Sequence, residues 1–162
     1  MEMKKIFNYL IILAALVSFA SCESEEVFFE YDGNNPGATF PYAKAKVEMT
    51  AEDGNKVQAE LWRGNTKGAA SVPVTIEMSD NAEGLFTPSK TSFEFADGES
   101  VAYLTLNYSD INALSSTETY SFKISISSEE QTAISGIASL TINAARKLTK
   151  TVIDKGWYYS DI

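Results

Sequence analysis

The residues able to do chemistry in this sequence are few. Cys22 is the only thiol in 162 residues, and there is no histidine. Without imidazole, no Ser-His-Asp or Cys-His constellation can be assembled. A single cysteine makes neither an intrachain disulfide nor a thiolate zinc site. Gly64, Gly68 and the other glycines stand apart, so no phosphate-cradling loop is present. The remaining candidates are carboxylates and aromatics. Asp80 and Glu83, Asp110, and the pair Glu129-Glu130 fall in three separate polar stretches. Converging carboxylates could hold a hard cation or, in a cleft, attack a glycosidic bond. A small domain has little room for such a cleft, so the expectation is a protein that is not an enzyme and uses no cofactor.

Two aromatic features suit binding instead. Val57, Ala59 and Leu61 claim one face of a strand, which leaves Trp62 on the polar face with Gln58 and Glu60. There it could stack on a sugar ring or anchor a protein partner. The alternative is that Trp62 ends its strand and folds over the edge of the domain. Trp157, Tyr158 and Tyr159 form a second cluster after Lys155-Gly156. That cluster reads as a docking tail, a final strand, or the opening of a further module. Nucleic acid is disfavoured as a partner, because 13 Lys plus Arg face 22 Asp plus Glu, for a net charge of −9.

The elements that must position these residues are strands. From Ala43 the hydrophobic period is two. It runs through Ala43–Met49, Val57–Trp62, Val72–Met78, Phe93–Phe95, Ala102–Tyr108, Tyr120–Ile126 and Ala138–Ala144. Asp53-Gly54 and Asp97-Gly98 are turn signals between them. No later stretch carries a sustained helical period. Seven short strands in about 100 residues predict an all-β, immunoglobulin-like antiparallel β-sandwich over 42–147.

The N-terminus reads as an address. Lys4-Lys5 precedes an apolar run from Ile6 to Val17, then small residues up to Cys22. That is the order of a secretory signal peptide, expected as a helix over 1–21. The run is shorter than the roughly 20 residues needed to span a bilayer. Phe19-Ala20-Ser21-Cys22 resembles a bacterial lipobox, with Phe19 where leucine is more usual. The resemblance implies lipidation of the Cys22 sulfur and anchoring in the outer membrane. Glu23, Ser24, Glu25 and Glu26 resemble the acidic export signal of Bacteroidetes surface lipoproteins, which implies display at the cell surface. Residues 22–41, with Gly33, Pro36, Gly37 and Pro41, have the composition of an acidic flexible tether. Two lysines and one glutamate lie in residues 1–21, so 22–162 carries 11 basic and 21 acidic residues, a net of −10.

Several strand motifs together resemble a Calx-beta domain. They are Val57–Arg63, Val72–Met78, Thr91–Glu99, Val101–Tyr108 and Glu118–Ile126. The likeness lies in a phenylalanine strand, a Gly-acidic turn, a long strand, and an acidic residue leading into an aromatic-rich strand. It spans about residues 55–144. Some members of that family bind calcium through loop carboxylates. The family's paired acids after the long strand are reduced here to Asp110-Ile111, and its Asp-Tyr stretch is missing between Met78 and Phe93.

The resulting expectation is a surface lipoprotein with a non-catalytic binding or spacer module, suited to glycan or protein capture. One alternative is a pilus or assembly subunit whose tail, 148–162, pairs with a neighbour's sheet edge. The other is a calcium-binding Calx-beta adhesion module.

Overall fold

In the computed structural model, the described residues are Gly33 and 35–148. The signal-peptide segment, Cys22, the acidic stretch 23–26 and Trp157-Tyr158-Tyr159 lie outside them.

The period-two pattern becomes strand at each of the seven predicted places. They are β2 (Lys44–Met49), β3 (Lys56–Arg63), β4 (Ala70–Met78), β6 (Ser92–Phe95), β7 (Val101–Tyr108), β8 (Thr119–Ile126) and β9 (Ser139–Arg146). Two more strands appear, β1 (Ala38–Thr39) and β5 (Phe86–Pro88). Both are too short to display a period. Regular helix among the described residues is limited to three single-turn 3₁₀ segments.

The strands form a sandwich of two sheets, ordered β1-β3-β7-β5 and β2-β9-β8-β4-β6. All named pairs are antiparallel except β2 with β9, which is parallel and runs from Lys44↔Thr141 to Met49↔Arg146. The expected all-antiparallel arrangement is corrected at this one place. A parallel pair needs a long crossover, and here most of the domain lies between its two members. Strand β4 serves two partners: Ala70–Pro73 pairs with β6, and Val74–Met78 pairs with β8. Pro73 lacks an N–H, and it sits where one ladder ends and the next begins, which is where a strand tolerates proline.

The core is made by the inward residues of both sheets. Phe86 of β5 crosses the interior. Its ring centroid is 5.5 Å from Tyr108 in its own sheet, and 5.1 Å and 4.8 Å from Tyr120 and Phe122 in the other. Phe40 meets Phe93 edge-on at 6.0 Å. Ala38 and Phe40 are fully buried, so the sandwich takes in residues on the tether side of position 42. An apolar Phe in otherwise linker-like sequence is drawn into the core by the area it removes from water.

Candidate functional site

The site is built on the central strands of the four-stranded sheet. Alternation sends Val57, Ala59 and Leu61 inward and leaves Lys56, Gln58, Glu60 and Trp62 outward. Across the ladder, Ala102, Leu104 and Leu106 go inward, leaving Val101, Tyr103, Thr105 and Asn107 outward. The register pairs Lys56 with Asn107, Gln58 with Thr105, Glu60 with Tyr103 and Trp62 with Val101. Trp62 is 46% exposed and Tyr103 is 49% exposed. They are diagonal neighbours, a relation that separates residues by about 7–8 Å. Trp62 has Thr39 of β1 on its other side, so its backbone is flanked within the sheet rather than lying at its margin.

Behind Trp62 the sheet end is fixed by Arg63. This residue is 4% exposed and points inward. Its Nε donates to the Glu99 carbonyl at 2.6 Å, and Nη1 donates to the Gly68 carbonyl at 3.0 Å. Nη2 donates to the carbonyls of Thr66 at 3.2 Å and Ala96 at 2.6 Å. Asp97 Oδ1 accepts from the Gly68 N–H at 2.6 Å, tying the same two loops together. Arg63 therefore uses its forked donors to hold loops 64–69 and 96–100 beside the Trp62 end of the face.

The loop carboxylates do not converge. Met78 pairs with Phe122 and Val74 with Ile126. Asp80 and Glu83 therefore follow β4 at the end of the sandwich where β8 begins, while Glu129 and Glu130 follow β8 at the opposite end. Asp110 is occupied as a helix cap: its Oδ1 accepts from the Asn112 N–H at 2.9 Å. Among the described residues no three His, Cys, Asp or Glu side chains gather as a metal site. The convergence that the calcium alternative needs is not present in these three loops, because sequence spacing does not say at which end of a sandwich a loop emerges.

Two surface grooves are also formed, the first reaching the same face at Lys56 and Gln58. One, of about 270 Å³, runs along Val47, Glu48, Asp53, Lys56 and Gln58. The other, of about 250 Å³, is lined by Met49, Thr50, Ile111, Asn112 and Arg146 among others. Between them, Asp53 Oδ2 accepts from the Thr50 N–H at 2.6 Å and the Thr50 hydroxyl at 2.8 Å. The hydroxyl bond first, then the backbone bond, holds the Asp53 carboxyl below its ordinary value. Burial, then the Asp53 charge, pushes the nearby Tyr108 phenol up.

Alternation in the sequence left Trp62 either on this face or folded over the edge of the domain, and it singled out neither Tyr103 nor Arg63. The signal for Tyr103 was present, since it stands in opposite phase to Ala102 and Leu104.

No family model matches the chain, and no curated protein matches it. Among solved structures it is similar to a Bacteroides ovatus protein whose proposed role is carbohydrate binding, at 13% identity and TM-score 0.46, over 70% of this chain and 38% of that one. It is similar to the calcium-binding domain CBD12 of CALX1.1, at 17% identity and TM-score 0.49, over 67% of this chain and 44% of that one. It is also similar to the apo form of the Calx CBD1 domain, at 16% identity and TM-score 0.48, over 68% and 96%. The chain thus spans less than half the length of the first two.

Proposed function

We propose that this chain is a lipid-anchored, surface-displayed, non-catalytic binding module that captures a glycan or a protein on the outward face of β3 and β7. The observation that carries the binding reading is the exposure of Trp62 and Tyr103 as diagonal neighbours on one flat face. Two aromatic side chains exposed side by side on a flat sheet face offer a surface that can stack on or anchor a ligand. The anchoring part rests on the sequence alone: Lys4-Lys5, the apolar run, and small residues leading to Cys22. Lipidation of Cys22 would supply the acyl chains that stable anchoring requires. Glu23, Ser24, Glu25 and Glu26 support outward display. The absence of histidine from the sequence supports binding over catalysis.

The test uses the full chain expressed in a bacterium with an outer membrane. Wild type fractionates with the membrane, Cys22→Ser does not, and protease added to intact cells cleaves the domain. Membrane retention of Cys22→Ser overturns the anchor, and protection from protease overturns surface display. Binding is read on the same cells with a panel of glycans and purified surface proteins. Capture that survives Trp62→Ala unchanged removes the face from the reading.

A further inference from the structure

The two outward faces of the sandwich differ in kind. On the five-stranded sheet the outward positions of β4 and β8 are Ser71, Pro73, Thr75, Glu77, Thr119, Ser121, Lys123 and Ser125, with no aromatic among them. Glu77 and Lys123 pair there at 3.1 Å, as an ordinary solvated surface does. On the four-stranded sheet, β3 and β7 present two exposed aromatics and two charges only, Lys56 and Glu60, of opposite sign. This face is neutral, as are the outward positions of β4 and β8, in a chain whose net charge is −9, so the two exposed aromatics are what set it apart.

From this contrast we infer that the β3–β7 face takes an uncharged polysaccharide, with Trp62 and Tyr103 as stacking platforms for two of its sugar rings. The inference rests on the binding reading above and names its ligand class. A pyranose ring offers a face of C–H groups and a rim of hydroxyls. The C–H face matches an aromatic plane, and the hydroxyls match the Gln58 amide and the Thr105 hydroxyl, which border Tyr103 on the ladder. The diagonal separation, about 7–8 Å, sets the two platforms side by side along the face instead of one over the other. A chain of linked rings can use both platforms at once.

Charge selects among the possible occupants. An anionic glycan would meet a net-negative protein and, on this face, a single lysine offset by a single glutamate. Steering and complementarity would both be missing for it. A protein partner held by hot spots needs desolvated pockets around its anchors. Neither Trp62 nor Tyr103 lines either of the two grooves, and the first groove reaches this face only at Lys56 and Gln58. The face is suited to a ligand that lies flat and carries no charge.

The experiment is affinity electrophoresis of the full chain, solubilised in a neutral detergent, through gels containing one polysaccharide each. The probes are an uncharged glucan, an uncharged mannan, polygalacturonate and a sulfated dextran. The expected result is retardation by an uncharged probe, little changed by added salt. Trp62→Ala and Tyr103→Ala should each weaken it by about tenfold or more. Trp62→Phe should keep most of it, and Thr75→Ala on the opposite face should change nothing. Urea unfolding midpoints confirm that each variant is folded. Retardation only by polygalacturonate or sulfated dextran, lost in salt and sensitive to Trp62→Ala, overturns the uncharged ligand and leaves the binding face standing. Retardation by no probe, with capture of a purified surface protein abolished by Trp62→Ala, likewise overturns the glycan and keeps the face. Binding of any kind that ignores both aromatic substitutions overturns the face itself, and so does absence of all binding.

Discussion

The guanidinium carbon of Arg63 lies 4.9 Å from the centre of the Phe95 ring, so a buried cation in this fold is held by a π-face and backbone carbonyls. Four carbonyls on two loops take its donors. Such an arrangement is stable because the planar fork satisfies them together and the ring replaces some lost solvation. Removing the fork takes away the donors of four loop carbonyls at once and leaves a hole in the packing against Phe95. Arg63→Met is therefore expected to cost about 3 kcal/mol of stability, and Arg63→Lys most of that, since an ammonium cannot reproduce the fork. Urea denaturation measures both. A lysine variant within about 0.5 kcal/mol of wild type would show that charge alone is sufficient.

Phe86, on edge strand β5, bridges the two sheets, with three aromatic neighbours within 5.5 Å. Truncating it leaves a cavity between Tyr108, Tyr120 and Phe122. Phe86→Ala should destabilise by about 3–5 kcal/mol. Phe86→Leu, which fills much of the space, should cost less than half as much. The two variants are compared by thermal and urea unfolding. Equal losses would mean that ring geometry, rather than filled volume, carries the stability.

What the sequence disclosed about this architecture follows from what a period can encode. Alternation marks strands long enough to repeat, so β2, β3, β4, β6, β7, β8 and β9 were legible. Phe86–Pro88 and Ala38–Thr39 have too few residues to alternate, and their strand state comes from pairing with β7 and β3. Phase also assigned Trp62 to the outward face. The same phase assigns Tyr103, but a Tyr in a strand otherwise read for its inward residues gives no separate cue. Strand direction leaves no trace in alternation, so the parallel β2–β9 pair was invisible. Arg63 follows Val57, Ala59 and Leu61 in phase, and only the folded loops supply the carbonyls that make its burial tolerable.

Gly136 marks a close approach that a glycine alone permits. A Cβ there would stand 2.9 Å from the Ala133 carbonyl oxygen and 3.1 Å from the Thr39 Cβ. The loop between β8 and β9 is at this point hydrogen-bonded to β1's surroundings, with the Ile137 N–H donating to the Thr39 hydroxyl at 2.8 Å and the Phe40 N–H to the Ile137 carbonyl at 2.9 Å. Backbone cannot move aside cheaply against those bonds. Gly136→Ala should cost about 1–3 kcal/mol, against the small gain that lowered chain entropy would otherwise bring. A neutral or stabilising result in urea unfolding would show that the loop yields.

Acid should weaken the fold in part through two exposed carboxylates. Hydroxyl and backbone bonds from Thr50 hold Asp53 below its ordinary value. Hydroxyls of Ser92 and then Ser71 do the same for Glu94. A carboxyl whose folded pKa is depressed binds its proton more readily in the unfolded chain. Its contribution is thus complete above the unfolded pKa, about 4, and is lost as pH falls through the lower folded value. Both groups are solvent-exposed, so the effect of each is small. The double variant Asp53→Asn, Glu94→Gln should be slightly less stable than wild type at pH 7. Below about pH 4 the gap should close, because wild type then loses what the variant never had. Urea midpoints measured from pH 7 down to pH 2 give the comparison. A gap that stays constant across that range would show that the lost stability does not come from the carboxylate charge.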